Sequence, residues 1–283
     1  MERFNKQGWM RPMLYGGVGV LLLCLLQALI GSFPVALFRF PVNGLLLLAF
    51  GIGVVELYRR REQSPWAQFL LSREGTHLSL LFMALLGLAL GLQREAASTA
   101  WPVVGMLLFL LAQLGMVILR GWRTGQGIRW HFLLLHLGLW LALTAGLFGA
   151  ADRETYRAMV RPEEPSREAF DSAQRMTLLE YPLQLHRFEM RHYANGTPAS
   201  WLAEVAVAEE VVPLQVNQPY APNWRDRIYL VSYDPEASPQ ACRYCVVEVV
   251  REPWQWATAA GLWMMMLGAL WLFIGREKRI KQA

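Results

Sequence analysis

Six long apolar stretches constrain this sequence more than any other feature. A hydrocarbon core about 30 Å thick requires roughly 20 apolar residues of helix, because each residue advances the helix axis by about 1.5 Å. We therefore expect about six transmembrane helices, of which the second and third are short and require tilt or local thinning of the bilayer. The stretches are Met13–Gly31, Val42–Leu57, His77–Leu92, Trp101–Leu119, His131–Ala150 and Trp254–Ile274.

The amount and the placement of charge agree with a lipid environment. Charged residues make up 17% of the chain and apolar residues 54%, whereas soluble domains carry about 25% charge. The net charge of +5 is gathered in short segments between the apolar stretches, which is the pattern of membrane topology. There is no basic patch with interleaved aromatic residues, so the sequence predicts a lipid bilayer and no nucleic acid as its partner.

The distribution of Lys and Arg predicts the orientation of the helices. Short cytoplasmic loops carry an excess of these residues. Fourteen of them lie on one side of the predicted membrane, and only Arg39 and Arg94 lie in the short loops of the other side. We therefore expect an even number of spans in a bacterial inner membrane, with both termini in the cytoplasm. The fourteen are Arg3, Lys6, Arg11, Arg59, Arg60, Arg61, Arg73, Arg120, Arg123, Arg129, Arg276, Lys278, Arg279 and Lys281.

The fold class predicted from these patterns is a polytopic α-helical membrane protein with an extracytoplasmic β-rich domain. Residues 1–151 form a five-helix region, residues 152–253 the outer domain, and residues 254–283 the final helix and a basic tail. In the outer domain, Arg153–Gln174 is charged and is expected to be helix or loop. Short runs rich in Val, Tyr and Leu follow and predict a small antiparallel sandwich or barrel. These runs are Leu183–Tyr193, Trp201–Ala208, Val211–Val216, Arg227–Tyr233 and Tyr244–Val250. We expect Arg227–Tyr233 to be a central strand buried on both faces.

Histidine is the residue type that most suggests chemistry in the apolar stretches. His77 opens the third stretch, and His131 and His136 lie in the fifth. Ionisable residues within a membrane are rare and are candidates for function, although a histidine near a helix end also forms ordinary hydrogen bonds at the headgroups. His136 lies roughly 10 Å deep, where the alternative is a hydrogen bond to a neighbouring hydroxyl or backbone carbonyl.

His77 and His136 fall in the same, cytoplasmic half of the predicted bilayer. Two neutral imidazoles at similar depth on different helices are what a bis-histidine haem b site requires. We expect His136 to be a ligand of the haem iron, with the second ligand supplied by His77 or by another chain. Gly138 would let a flat macrocycle approach the helix. His131 is a further candidate, but it lies about 140° around the helix from His136 and cannot share its ligand.

The other candidate residues give weaker signals. Cys242 and Cys245 form a C-x-x-C motif that leads into a predicted strand. On a continuous strand their Cα atoms would lie about 10 Å apart, beyond the roughly 7 Å reach of a disulfide. A turn at Cys242 would bring them closer, so a redox or disulfide role stays open, but we expect no catalytic role. His186 and His192 share a predicted strand without other metal ligands. No phosphate loop, nucleophile elbow or zinc-protease motif is present, so the sequence predicts no self-contained active site.

Two stretches carry a family resemblance. The first, QVNQP…RDRIYLVSYDP…CVVEVVREPW, runs into the last apolar stretch and follows the segment PLQLHRFEMRHYANGTPASW. It resembles the extracytoplasmic domain of ResB-type cytochrome c biogenesis proteins, with Glu252 where that family usually has Asp. The matching residues are Val216, Asn217, Pro219, Ile228, Tyr229, Ser232, Tyr233, Asp234, Val250, Arg251, Pro253 and Trp254.

The second stretch, HLGLWLALTAGLFGAAD, is similar to the H-x-G helix that precedes this domain in shorter relatives. Its match is carried by His136, Gly138, Gly146, Gly149 and Asp152. Together the two stretches cover about residues 131–274. The first four apolar stretches match the family only in kind.

The resemblance implies a subunit of a system II haem lyase, which delivers haem across the membrane and supports its attachment to apocytochrome c. Such a chain requires a CcsA-like membrane partner, because the tryptophan-rich haem-handling motif of that partner is absent here and is not reproduced by Trp254 and Trp256. Two other functions stay open. One is a haem-binding membrane anchor of an electron-transfer complex, and the other is a membrane assembly factor that binds no haem.

Overall fold

The computed structural model describes residues 6–92, 99–125, 127–192, 198–234, 236 and 242–280. Its contacts divide the chain into two compact units. We call Met1–Ala151 together with Trp254–Ala283 the helical unit, and Asp152–Pro253 the β-domain. Several residues used in the sequence analysis lie outside the described residues: Arg3, Arg94, Tyr193 and Lys281.

The described residues of the helical unit contain seven α-helices. They are α1 (Lys6–Ile30), α2 (Val42–Arg59), α3 (Pro65–Leu70), α4 (Arg73–Leu92), α5 (Trp101–Gly121), α6 (Trp130–Gly149) and α7 (Gln255–Ile280). Short 3-10 turns lie at Val35–Phe38 and Ala150–Asp152. A small hairpin of β1 (Arg123–Thr124) and β2 (Gly127–Ile128) joins α5 to α6. The residues at the start of α3 explain why the helix begins there: Ser64 caps the helix, and Pro65 occupies the first helical position.

Four helical segments are long and apolar enough to cross a membrane: Val42–Arg59, Trp101–Gly121, Trp130–Asp152 and Gln255–Ile274. The apolar part of α1, Leu14–Ile30, is shorter. The helix α4 is not among these segments when only the described residues are considered. Large apolar side chains such as Leu48 and Phe273 are exposed, as lipid-facing residues are. The chain is therefore a membrane protein with a β-domain, and four of the predicted spans have structural support.

Small residues bring α6 and α7 into close contact. A Cβ atom added to Gly138 would lie 2.6 Å from the carbonyl oxygen of Gly261, and one added to Gly268 would lie 2.9 Å from the backbone nitrogen of Leu135. Membrane helices gain their packing energy from such close approach of backbones. The glycines on both helices thus fix how α7 lies against α6.

Gly138→Ala is expected to destabilise the helical unit, because the new methyl group overlaps the backbone of α7. Overpacking of this kind typically costs about 1–3 kcal/mol. Gly146 on the same helix has no heavy atom within 4 Å of an added Cβ, so Gly146→Ala is the matched control. Thermal unfolding in detergent should show a lower midpoint for Gly138→Ala only. Equal midpoints for the two variants would contradict this account of the packing.

The β-domain is one antiparallel sheet of seven strands in the order β7-β6-β5-β4-β3-β9-β8. The first and last strands of the domain, β3 and β9, pair from Glu154 opposite Arg251 to Val160 opposite Cys245. The chain therefore enters and leaves the domain at the same end of the sheet. The strands are β3 (Glu154–Val160), β4 (Ser166–Asp171), β5 (Met176–His192), β6 (Pro198–Val207), β7 (Glu210–Gln215), β8 (Asp226–Tyr233) and β9 (Cys245–Arg251).

The sheet curls so that its two ends approach each other. Tyr220, which follows β7, exchanges two backbone hydrogen bonds with Ile228 of β8, at 2.8 and 3.0 Å. The hydroxyl of Tyr181 on β5 lies 3.4 Å from a carboxylate oxygen of Asp226 on β8, although four strand steps separate these strands in the sheet. The curled sheet encloses an apolar core to which every strand contributes.

The predicted helix or loop at Arg153–Gln174 is wrong, because this segment forms β3 and β4. In β3, Ala158 and Val160 point into the core while Arg157 and Met159 are exposed. The charged residues of the segment occupy the outer face of the sheet and obscure the alternation of its small apolar residues.

The prediction that Arg227–Tyr233 is a central strand buried on both faces is also wrong. The strand β8 lies at the edge of the sheet. Ile228 and Leu230 are buried, Tyr229 is half-buried and Val231 is exposed. The continuous apolar run resembled a central strand, but its outer face is covered only in part.

Candidate functional site

His136 of α6 is held in one orientation by its own helix. Its Nδ1–H donates to the carbonyl oxygen of Phe132 at 2.8 Å, because a carbonyl oxygen only accepts. The imidazole also stacks on the Phe132 ring, with 4.0 Å between centroids and 25° between planes. Because Nδ1 carries the proton in the neutral ring, Nε2 presents its lone pair, and no described residue donates a hydrogen bond to it.

The stacking platform of His136 is itself fixed. The guanidinium of Arg129 lies 4.8 Å from the centroid of the Phe132 ring. A Cβ added to Gly121 of α5 would lie 2.5 Å from this ring. The ring of Phe132 therefore packs against α5 at a glycine, where a larger residue would collide with it. One turn beyond His136, the Trp140 indole donates to the carbonyl oxygen of Leu111 at 3.1 Å. These contacts lock the segment that carries His136 against α5.

An apolar groove lies beside this segment. It has a volume of about 650 Å³ and is formed by α2, α5 and α6. Leu137 and Trp140 line it on α6, and Gly115 lines it on α5. Its polar residues are Glu56 and Arg59 in the last turn of α2, whose charged groups are 3.9 Å apart. The groove thus offers an apolar wall, with the Glu56–Arg59 ion pair at one end, beside the segment that carries His136.

The structure does not bring His77 next to His136. Thr76 accepts a hydrogen bond from Gln113 of α5 at 3.2 Å, and Phe82 packs edge-on against Phe109 of α5. His77 lies on the opposite face of α4 and is exposed. Because α4 and α6 both pack against α5, the imidazole of His77 points away from its own bundle. The position suits contact with lipid or with another chain.

Gly138 and His131 also lie on α6. The idea that Gly138 leaves room for a macrocycle is wrong, because the backbone of Gly261 on α7 fills the space over it. His131 is half-buried near the start of α6 and makes no hydrogen bond or ring contact with a described residue. Of the three histidines, only His136 is held by defined contacts.

A buried ion pair in the β-domain was not predicted. Asp226 is fully buried, and its two carboxylate oxygens accept hydrogen bonds from Arg251 at 2.8 and 3.2 Å. Asn223 donates a further hydrogen bond at 3.0 Å. Glu180 of β5 pairs with both Arg225 and Arg251. The signal in the sequence was the position of Asp226 two residues before buried Ile228, which places both on the inner face of β8.

Burial and ion pairing have opposite effects on the pKa of Asp226. Burial alone raises the pKa of Asp226, but hydrogen bonds from Arg251 and Asn223, with the charges of Arg251 and Arg225, outweigh it and hold the pKa below its usual value. Burial and the Asp226 carboxylate raise the pKa of Tyr181. Asp226 is therefore ionised in the folded domain, and it joins β8 to β9 and β5.

The two cysteines of the C-x-x-C motif are free thiols in this structure. The expectation that a continuous strand separates them is wrong, because β9 begins at Cys245 and Cys242 precedes it. Burial raises the pKa of Cys242, and it raises the pKa of Cys245 to about 12. A reactive thiol requires a lowered pKa, so the prediction that these thiols are not catalytic is kept.

The histidines of the β-domain offer no metal site in the described residues. His186 is exposed and lies at an irregularity in the pairing of β5 with β6. His192 closes β5 beside the undescribed residues 193–197. In the described part of the chain, no group of three or more His, Cys, Asp or Glu residues could hold a metal ion.

Four membrane-spanning helical segments and a β-domain inserted in the sequence before the last helix define this chain as a membrane protein with a β-rich domain. The oriented histidine beside an apolar groove is its candidate ligand site. A model of the ResB-like family matches residues 123–243. The match covers α6 with His136 and most of the β-domain, and it confirms the predicted family resemblance over those residues.

Other comparisons give little more. The solved structure "Cytochrome c Heme Lyase CcmF" is similar at a TM-score of 0.38 and 12% sequence identity, over 71% of this chain and 34% of that one. The chain thus spans about a third of the length of that protein. No curated protein sequence matches.

Proposed function

We propose that this chain is a ResB-type subunit of a membrane complex that delivers haem across the bacterial inner membrane and supports its attachment to apocytochrome c. The observation that carries the proposal is the ResB-like match over residues 123–243. Haem would be the cargo. Its iron would bind an imidazole, and side chains of the haem ring would become bonded to the apocytochrome thiols.

His136 is the proposed iron ligand of this chain. Its Nδ1–H bond to the Phe132 carbonyl leaves Nε2 as the donor atom, which is how metal-binding histidines are commonly oriented. The stack on Phe132 limits rotation of the ring. The neighbouring groove is lined by apolar residues, and Arg59 at its end offers a cation for carboxylate groups. These features fit a flat apolar molecule with acidic substituents.

The second axial ligand is proposed to come from a partner chain. His77 lies on the exposed face of α4, so it is available to a CcsA-like protein packed against that face. This chain would then contribute His136 to the haem, and His77 would meet the partner on a separate face, that of α4.

The proposed topology has six spans, with α1 and α4 crossing the membrane in addition to the four strongest helices. Both termini are cytoplasmic and residues 152–253 lie outside. The basic loops support this orientation. The exposed Trp122 and Trp130 beside Arg129 place the α5–α6 turn at a membrane boundary, because tryptophan gathers at membrane interfaces. A reporter that is active only in the cytoplasm should therefore be active when it is fused to the C-terminus. A C-terminal reporter active only in the periplasm would contradict this topology.

The haem content of the purified protein tests the proposed function. We expect haem b in the complex of this chain with a CcsA-like partner, and much less in either protein alone. The measurement is the haem-to-protein ratio with the low-spin Soret and α bands. Equal haem in this chain alone would favour a membrane anchor of an electron-transfer complex. An absence of haem from both preparations would favour an assembly factor.

A further inference from the structure

The start of β9 places the two thiols of the C-x-x-C motif close together. Cys242 lies in a bend before the strand, and its Sγ–H donates to the carbonyl oxygen of Tyr244 at 3.1 Å. That carbonyl is bonded to the nitrogen of Cys245, so standard peptide geometry places the sulfur within about 6 Å of the Cα atom of Cys245. The two residues of a disulfide are similarly close, with Cα atoms about 4.4–6.8 Å apart. A rotation at Cys242 with a small backbone shift would close the gap.

The segment between the cysteines is fixed to the end of β8. Arg243 donates to both carboxylate oxygens of Asp234, at 2.7 and 3.1 Å. The backbone nitrogen of Asp234 donates to the Tyr244 carbonyl at 3.0 Å. Hydrogen bonds from Arg243 lower the pKa of Asp234 to about 2, so this ion pair is present at neutral pH. The bend that brings Cys242 back towards Cys245 is therefore held by contacts other than the cysteines.

We propose that Cys242 and Cys245 form an intramolecular disulfide that closes the start of β9. The oxidant is a disulfide of the extracytoplasmic compartment. One sulfur–sulfur bond forms within this chain, and the two electrons and two protons of the thiols reduce the disulfide of the oxidant to a dithiol. Supply of this oxidant in the cell rests on the topology in the proposed function, since disulfides persist in oxidising compartments.

The surroundings indicate a structural bond rather than one that exchanges with a substrate. Cys245 is fully buried in the core of the β-domain, and half-buried Cys242 packs against the same core. Little of the bond would be reachable by an attacking thiolate, and exchange requires access. The disulfide forms while the domain folds and is then enclosed.

The test counts reactive thiols in the full-length protein purified in detergent and fully reduced. Urea first unfolds the β-domain, because the thiol of Cys245 is buried in the folded domain. The domain then refolds in a mixture of oxidised and reduced glutathione, after which the protein is denatured, alkylated and analysed by mass spectrometry. The chain has three cysteines, and we expect only Cys24 to be modified. Trypsin cleaves after Arg243, between the two cysteines, so the two peptides stay joined only if the disulfide exists. Cys242→Ser is the control and should leave both remaining thiols reactive.

Three modified thiols after oxidation, or a bond to Cys24 or to a second chain, would overturn the proposal. A second arm traps free thiols by alkylation at cell lysis. An oxidised pair in cells is the expected result. A pair that is reduced in cells and oxidises with glutathione supports the disulfide and contradicts the extracytoplasmic placement, so the two failures are distinguished.

Discussion

Replacement of His136 by alanine is expected to remove most haem from the complex of this chain with its CcsA-like partner. Contacts with described residues orient this imidazole, and they leave its Nε2 available for the iron. Loss of a residue that merely supports a metal ligand already costs about 10–100-fold in affinity, so loss of the ligand should be at least as large. The measurement is the haem-to-protein ratio, with the low-spin Soret and α bands as the record of axial ligation.

Two further variants make this result specific. His131→Ala removes a half-buried imidazole of the same helix and should leave the spectrum unchanged. His136→Gly leaves a space that added imidazole can fill, so imidazole should restore the low-spin bands. Unchanged spectra in His136→Ala would end the assignment of His136 as a ligand. An equal loss in His131→Ala would indicate a general effect on folding instead.

Asp226→Ala is expected to destabilise the β-domain more than any other change of a charged residue there. The substitution removes the partner of Arg251, whose side chain is only 18% exposed, and breaks the bond to Tyr181. Breaking a buried pair in this way costs about 3–5 kcal/mol. Proteolysis of the full-length protein across a urea series, read as loss of a protected 152–253 fragment, should show a much lower midpoint.

A partly exposed ion pair on the neighbouring strand β9 provides the control. Glu248 of β9 bonds Arg157, whose side chain is 71% exposed, at 3.1 Å, and exposed pairs contribute about 0–1 kcal/mol. Glu248→Gln should therefore shift the midpoint little. Equal midpoints for Asp226→Ala and Glu248→Gln would contradict the importance of burial.

The same carboxylate makes stability depend on pH. The pKa of Asp226 is lowered in the folded domain, so its contribution is complete above the unfolded value of 3.8 and is lost as pH falls through the folded pKa. The wild-type domain should lose stability below about pH 4, and Asp226→Asn, which does not titrate, should decline less steeply there. Parallel declines in the two proteins would assign the acid sensitivity to other groups.

The helices were predictable because lipid requires long apolar stretches, and α2 and α5 begin at the residues that the sequence predicted. The strands β3 and β4 were not, because outward charged residues in Arg153–Gln174 hide a weak alternation of alanine and valine. The edge position of β8 depends on how the sheet curls, which is set by distant pairs such as Tyr220 with Ile228. Local patterns do not contain that information.

The position of His136 was predictable, but its relation to His77 was not, and its role as an iron ligand stays a prediction. The depth of His136 followed from its distance to Arg129. The outward position of His77 depends on which face of α4 meets α5, and an almost wholly apolar helix does not record this in its sequence. The close packing of Gly261 against Gly138 could not be predicted either, because it depends on which helices are neighbours.

Formation of covalent cytochrome c in cells tests the central claim most directly. Bacteria that lack their own ResB-type protein would express a CcsA-like partner and an apocytochrome c, with or without this chain. Haem that stays on the cytochrome in a denaturing gel measures attachment. We predict this signal only when the chain and its partner are both present. An equal signal without the chain, or no signal when both proteins are present at normal membrane levels, would contradict the proposed function.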